Sequence, residues 1–220
     1  EWAEKMHEQQ IRPYSQYLLV KEGNPYWRIA VLTEEAFDHI LRPMMQKTSL
    51  FLEQKGYEVE VGKFSILKKD SFQGLEERFW TGTEKIHHIE LDFLTSASFK
   101  KNGEYKIFPE LLLVFNNLIR KWNVYSDSMV LGEERLGDKL AEFMCITDYR
   151  LHTHPFSVEG RRIRAFRGNI RLGLFKDDIT RRMASMLAAF ADYAGIGIKT
   201  AMGMGAVHSN IAYYQKKEQL

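Results

Sequence analysis

The stretch that most restricts how this chain can fold is Gly195-Ile-Gly197-Ile-Lys199-Thr200-Ala-Met-Gly203-Met-Gly205-Ala-Val207, with four glycines in the order G-x-G-x5-G-x-G. It separates a helical pattern from a strand pattern. Glycine admits positive φ and lets another group approach where a Cβ would obstruct it. The loop must therefore either press a helix onto a sheet or hold a ligand such as a phosphate against its N–H groups. Lys199, inside the loop, adds a charge suited to phosphate. The nucleotide-binding motif G-x-x-x-x-G-K-[ST] is excluded, because Lys199 follows Ile198 and not a glycine.

The flanking patterns set the architecture. In HHIELDFL, Ile89, Leu91 and Phe93 share one face of a strand while Glu90 and Asp92 share the other. After Pro109, the residues Leu111, Leu112, Phe115, Leu118, Ile119 and Trp122 recur at helical spacing. MCITDYRLHTH and RRIRAFRGNIRLGLF read as two strands around a turn near Glu159-Gly160. From about Ile179 a second helix carries Met183, Met186, Leu187 and Phe190 on one side, with Gly195 as its αL C-terminal residue. GMGAVHSNIAYY supplies the last strand. The order is β-α-β-β-α-β, the split ferredoxin-like unit.

The first half reads as β-β-α-β. A hairpin at 16–21 and 26–32 surrounds KEGNP, and a helix capped by Thr33 carries Phe37, Ile40, Leu41 and Met44 until Pro43 kinks or ends it. YEVEVGKFSIL then alternates as a strand. Against the ferredoxin-like order, an opening strand and most of a helix are missing, with EWAEKMHEQQ as that helix's last turns. Roughly 20 residues are expected upstream, so a truncated or excised chain is the expectation. The expected fold is α+β, with tandem ferredoxin-like (RRM-like) domains at residues 1–85 and 86–220, the first incomplete at its N-terminus.

The chain has 220 residues, 45% hydrophobic, enough for a real core. The single cysteine, Cys145, excludes an internal disulfide, and without a C-x-x-C pair a thiolate zinc site is excluded too. No apolar run reaches the roughly 18 to 20 residues of a membrane span, and the N-terminus lacks a signal-peptide layout. A cytoplasmic protein without a membrane partner is expected. The net charge is only +2, yet residues 150–182 hold nine basic side chains against three acidic ones, which leaves −4 for the remainder. A local basic field on a nearly neutral chain points to a polyanion at one place, or else to a solvated face. In the RRIRA segment Arg162 and Arg164 project to one side and Ile163 and Ala165 to the other.

The glycine motif following the last helix of a second ferredoxin-like unit resembles the C-terminal loop of the CRISPR-associated endoribonucleases that process repeat transcripts, members of the RAMP superfamily. LDFLTSASF (91–99) is similar to that family's strand-then-Thr-Pro-Thr segment, with Ser96 where a proline is usual. PELLLVFNNLIRKWN (109–123) is similar to the helix that follows it, and AFRGNIRLGLF (165–175) to the strand before the last helix. The resemblance runs from about Met6 to Val207. It implies a prokaryotic, cytoplasmic RNA-binding protein whose partner is CRISPR repeat RNA, with other CRISPR-associated proteins and a second copy of the chain left open as further partners. The residues implied at the RNA are Arg161, Arg162, Arg164, Arg167, Arg171, Gly195, Gly197, Lys199, Thr200, Gly203 and Gly205.

RNA cleavage without a metal needs a general base at the 2′-hydroxyl, an acid at the leaving oxygen and a cation for the crowded phosphorane. Of the seven histidines, the resemblance selects His7 in MHEQQIRPYS, with Arg12 at the basic position that follows and Tyr14 to orient the phosphate or the base. No cofactor and no metal are expected. The function implied is a metal-independent endoribonuclease that cuts repeat transcripts and leaves a 2′,3′-cyclic phosphate. The alternatives are a non-catalytic RNA-holding subunit of an effector complex, or the RNA-processing domain of a larger fusion. His152 and His154 share a strand face and could touch RNA, pair weakly on a metal, or simply face solvent. His87 and His88 are expected on opposite faces, unable to act together, and His39 has no assigned role.

Overall fold

A computed structural model describes residues 2, 4, 6, 9–132, 135–158, 160–175 and 177–214. In the first half, β1 (Tyr14–Lys21) and β2 (Asn24–Val31) form an antiparallel hairpin. The helical segment α1 follows, built of Glu34–Ala36, a π-helical turn Phe37–Leu41, and Arg42–Met44. Thr33 caps it as expected, its Oγ1 accepting the Ala36 N–H at 3.1 Å. The π turn closes with Arg42 N–H on Phe37 O, one residue before Pro43, whose ring would crowd the carbonyl four residues back in a tight α-helix. Next come β3 (Ser49–Leu52), β4 (Tyr57–Glu60) and α2 (Phe72–Thr81).

Two parts of this half differ from the sequence reading. The expected strand across 57–67 stops at Glu60, because Ile66 and Leu67 are 64% and 73% exposed and no second partner rewards further extension. β3 and α2 were not anticipated. Ser71 starts α2 by accepting the Gly74 N–H at 2.9 Å, and Leu75 and Phe79 bury its inner face. The irregular 61–71 segment is tied down by Lys68 Nζ, 2.7 Å from Asp192 Oδ2.

The second half is the βαββαβ unit. Its elements are β5 (Ile86–Ala97), the small β6 (Phe99–Lys101) and β7 (Glu104–Lys106) pair, α3 (Leu111–Tyr125), α4 (Leu136–Glu142), β8 (Met144–Thr153), β9 (Phe156–Val158), β10 (Arg161–Ile163), β11 (Phe166–Leu174), α5 (Asp178–Ala194), a 3-10 turn Thr200–Met202 and β12 (Val207–Tyr213). The antiparallel sheet runs β12-β5-β11-β8. The expected simple hairpin is branched: β8 pairs with β11, while β9 and β10 form a separate two-stranded tip beyond them. Gly195 ends α5 with φ 64° and ψ 171°, which is not the αL conformation expected but a more extended one.

One sheet face packs against α3 and α5; the other is covered by no helix among the described residues. Ile89, Leu91 and Phe93 of β5 meet Val114, Phe115, Leu118 and Trp122 of α3 and a small-residue face of α5 that includes Ala184, Ala188 and Ala191. Trp122 is the centre of this layer, edge-on to Phe72 at 5.0 Å and to Phe190 at 5.2 Å, with its indole N–H on Met129 O at 2.8 Å. Phe72 thereby carries α2 into the core of the second half. None of the described helices is long and apolar enough to cross a membrane. Trp122→Ala should cost about 3 to 5 kcal/mol of unfolding free energy, measured by urea titration.

Candidate functional site

The four glycines lie where α5 turns back into β12, and the loop they form is largely internal. A Cβ on Gly197 (φ 91°) would overlap the Ser98 carbonyl oxygen, and one on Gly205 (φ 64°) would overlap the Ile196 carbonyl oxygen. Hydrogen bonds bind the loop to the end of β5: Gly205 N–H to Ser96 O at 2.8 Å, Ile198 N–H to Ser98 O at 3.0 Å, and Ala206 N–H to Thr95 Oγ1 at 3.0 Å. Asn117 of α3 accepts the Gly197 N–H at 2.9 Å. The approaching object at Gly197 and Gly205 is therefore the chain's own backbone, and at Gly195 it is the Gly205 carbonyl together with the Thr200 side chain. Gly203 is more open, with the Phe156 ring 3.7 Å from where its Cβ would be.

Beneath the loop sits Lys121, which occupies a core position on α3 and is buried. Its Nζ donates to Ala194 O at 2.9 Å, Gly195 O at 3.0 Å and Thr200 Oγ1 at 3.4 Å. It caps the carbonyl end of α5, where a positive charge is favoured by the helix dipole, and ties that end to the loop. Sequence reasoning passed over Lys121, although its spacing from Val114 and Leu118 places it on the apolar stripe. Thr200 is buried by the same contact. Lys199 stands in left-handed backbone (φ 54°), half-buried, with Nζ 3.6 Å from Met202 Sδ.

The loop and the last turn of α5 also join the two halves. Gln16 of β1 donates to Ala201 O at 2.6 Å, and Ser15 Oγ donates to Tyr193 O at 2.5 Å. On its other side a small second core of Ile163, Ala165 and Met204, with Tyr105, Phe156, Val158 and Ile198 against it, fixes the β9–β10 tip to the loop. Burial of Ile163 and Ala165 leaves Arg161, Arg162, Arg164 and Arg167 exposed, and these four make no ion pair among the described residues. Arg171 is placed differently. It lies on the open sheet face, with Nε and Nη2 on Glu90 Oε1 at 3.0 and 2.8 Å, and this bond together with Asn210 holds the Glu90 carboxyl below its usual range.

Of the expected catalytic set, Arg12 and Tyr14 line one cavity of about 270 Å³, together with Trp2, Met6, Gln16, Trp27, Ile29 and Ile40. His7 lies outside the described residues. Trp2 stacks on His39 with ring centroids 4.8 Å apart, and Trp27 donates its indole N–H to Gln16 Oε1 at 2.8 Å. A guanidinium and a phenol beside aromatic walls suit a nucleotide, with the cation on a phosphate and a ring on the base. Trp27 was not anticipated, though its outward place opposite Leu18 follows from strand alternation. His87 and His88, expected apart, meet with their Nδ1 atoms 2.7 Å from one another at the start of β5. Among the described residues, no three His, Cys, Asp or Glu side chains gather as a metal ion would require.

Burial pushes the Lys121 ammonium down to about 7, so above that pH the folded chain holds fewer protons than the unfolded one. The penalty is complete below pH 7 and is relieved as pH rises toward the unfolded value near 10.4. The unfolding free energy of the wild type minus that of Lys121→Met is expected to rise by roughly 3 kcal/mol between pH 7 and 10, read from urea titrations at each pH.

Comparison with known proteins places this geometry. The family model described as CRISPR-associated endoribonuclease Cas6 matches residues 91–207, the stretch from β5 through the glycine loop. The CRISPR-associated endoribonuclease Cas6 of Streptococcus thermophilus is 30% identical over 94% of this chain and 84% of its own length. That of Mycobacterium tuberculosis is 29% identical over 94% of this chain and 66% of its own length. A solved Cas6 product complex superposes with a TM-score of 0.78 at 21% identity, covering 96% of this chain and 87% of that one, a likeness of fold. The architecture is α+β with tandem ferredoxin-like units, and the chain belongs to the CRISPR-associated endoribonuclease Cas6 family.

Proposed function

We propose that this chain processes CRISPR repeat transcripts into guide RNAs as an endoribonuclease that needs no metal. The observation that supports this best, beside the family membership, is the convergence of Arg12 and Tyr14 on one aromatic-walled cavity. In this reading His7 takes the proton of the 2′-hydroxyl, which attacks the adjacent phosphorus. The P–O5′ bond breaks as a protonated group gives its proton to the leaving O5′, so that one fragment ends in a 2′,3′-cyclic phosphate and the other in a 5′-hydroxyl. Arg12 neutralises the charge that builds on the phosphorane, and Tyr14 orients the phosphate. Repeat RNA is the partner. The named relatives, each a CRISPR-associated endoribonuclease, support the substrate class.

The RNA path is proposed to run from the exposed arginines Arg161, Arg162, Arg164 and Arg167 over Lys199 and Gly203 to the cavity. Gly195, Gly197, Thr200 and Gly205 serve it by shaping the loop. The open sheet face is the less suitable route, because the outward residues of β5 and β11, His88, Glu90, Asp92, Arg167, Asn169 and Arg171, include no ring of the Phe, Tyr or Trp kind on which RRM sheets stack bases. Arg171 is accordingly a minor contributor, occupied by Glu90.

The test is cleavage of the cognate repeat RNA in EDTA, beside the same RNA with a 2′-deoxy nucleotide at the cut site and with His7→Ala and Arg12→Ala variants. Cleavage of the all-ribose RNA alone is expected, with a loss of about 10²-fold or more in either variant. Tight binding with no cleavage by the wild type would instead identify an RNA-holding subunit.

A further inference from the structure

The base of the hairpin carries a histidine whose setting the function above does not use. Ser96, at the end of β5, is 3% exposed, and its Oγ lies 2.7 Å from Nδ1 of His154. The Ser96 carbonyl at the same time accepts the Gly205 N–H, so the serine is part of the seam between β5 and the glycine loop. The His154 main chain is fixed from the other side, its N–H on Ala165 O at 2.9 Å. Although the residue is exposed, it is thus held at two points, its ring by the buried Ser96 and its main chain by Ala165.

We propose that His154, positioned by Ser96, is a contact for the RNA backbone at the seam between the basic hairpin and the glycine loop. This rests on the RNA-processing function proposed above. A serine hydroxyl both donates and accepts. When it donates to Nδ1, the neutral ring presents an N–H at Nε2. When the ring is doubly protonated, Nδ1 donates to Oγ and Nε2 again presents an N–H. Nε2 has no partner among the described residues, and an outward N–H in a basic neighbourhood matches a phosphate oxygen. The neighbours agree: Arg164 precedes Ala165, the residue that fixes the His154 main chain, and Arg167 pairs in register with His152, whose ring is 6.1 Å from that of His154. The Ser96 bond already restricts the exposed ring, so less side-chain entropy remains to be lost when the ring meets RNA.

Binding of end-labelled repeat RNA by the wild type, His154→Ala, Ser96→Ala and the double variant tests this, together with the melting temperature of each and the single-turnover cleavage rate at saturating RNA. His154→Ala is expected to raise Kd about tenfold, with an unchanged melting temperature and an unchanged saturating rate. Ser96→Ala should give a smaller loss, and the double variant should bind no more weakly than His154→Ala alone, since the serine acts through the histidine. An unchanged Kd in His154→Ala, or a lower saturating rate at unchanged Kd, overturns the proposal. A wild type that binds no repeat RNA overturns the proposed function and this contact with it. A wild type that binds without cutting removes only the catalytic reading, because the Kd comparison still decides for or against His154.

Discussion

Closure of the α5 C-terminus and the glycine loop onto β5, with Lys121 buried beneath, is the constraint on which the rest of the site depends. An ammonium in the core is costly to bury. It is tolerable here because Ala194 O and Gly195 O stand at a helix end with unsatisfied carbonyls and Thr200 supplies a third acceptor. Once that end is fixed, the loop has little freedom: Gly197 and Gly205 lie against carbonyl oxygens and their N–H groups are spent on Asn117 and Ser96. From this rigid centre the 3-10 turn holds β1 through Gln16, and Met204 holds the hairpin tip through Ile163 and Ala165. The loop is therefore a shared support of the cavity and the arginines, beside the Ser15–Tyr193 and Lys68–Asp192 bonds that hold the first half to α5.

Charge is distributed to match. On the open sheet face Arg171 is neutralised by Glu90, which Asn210 also engages. At the hairpin the arginines stand over an apolar underside, with no acidic partner among the described residues, so their field is directed to solvent and to any polyanion there. A net charge of +2 conceals this separation.

Much of the second half was legible because its apolar spacing is long and regular. The β-α-β-β-α-β order, the α3 and α5 faces and the alternation of Ile163 and Ala165 with arginines follow directly from period. What period cannot report is what a polar residue does inside a stripe. Lys121 occupies an apolar position, and only the carbonyls brought to it by tertiary closure explain it. The glycines posed the same difficulty: a need for close approach is visible in sequence, but whether the approaching atom belongs to a ligand or to Ser98 and Ile196 is not. Ser96, which stands where the segment it resembles usually has proline, holds His154, a long-range pairing that no local pattern announces. The first half was less readable because its elements are short and its strands pair only two by two, so Ile66 and Leu67 follow a strand pattern without the burial that would form one.

The most direct test of the RNA path is photocrosslinking of a repeat RNA carrying 4-thiouridine beside the cut site and in its stem, followed by mapping of the crosslinked peptides. Crosslinks in the peptides containing Tyr14 and Trp27 near the cut, and in the 156–167 hairpin from the stem, are the expected result. Crosslinks concentrated on the open sheet face, around Glu90, Asp92 and Asn169, would contradict it.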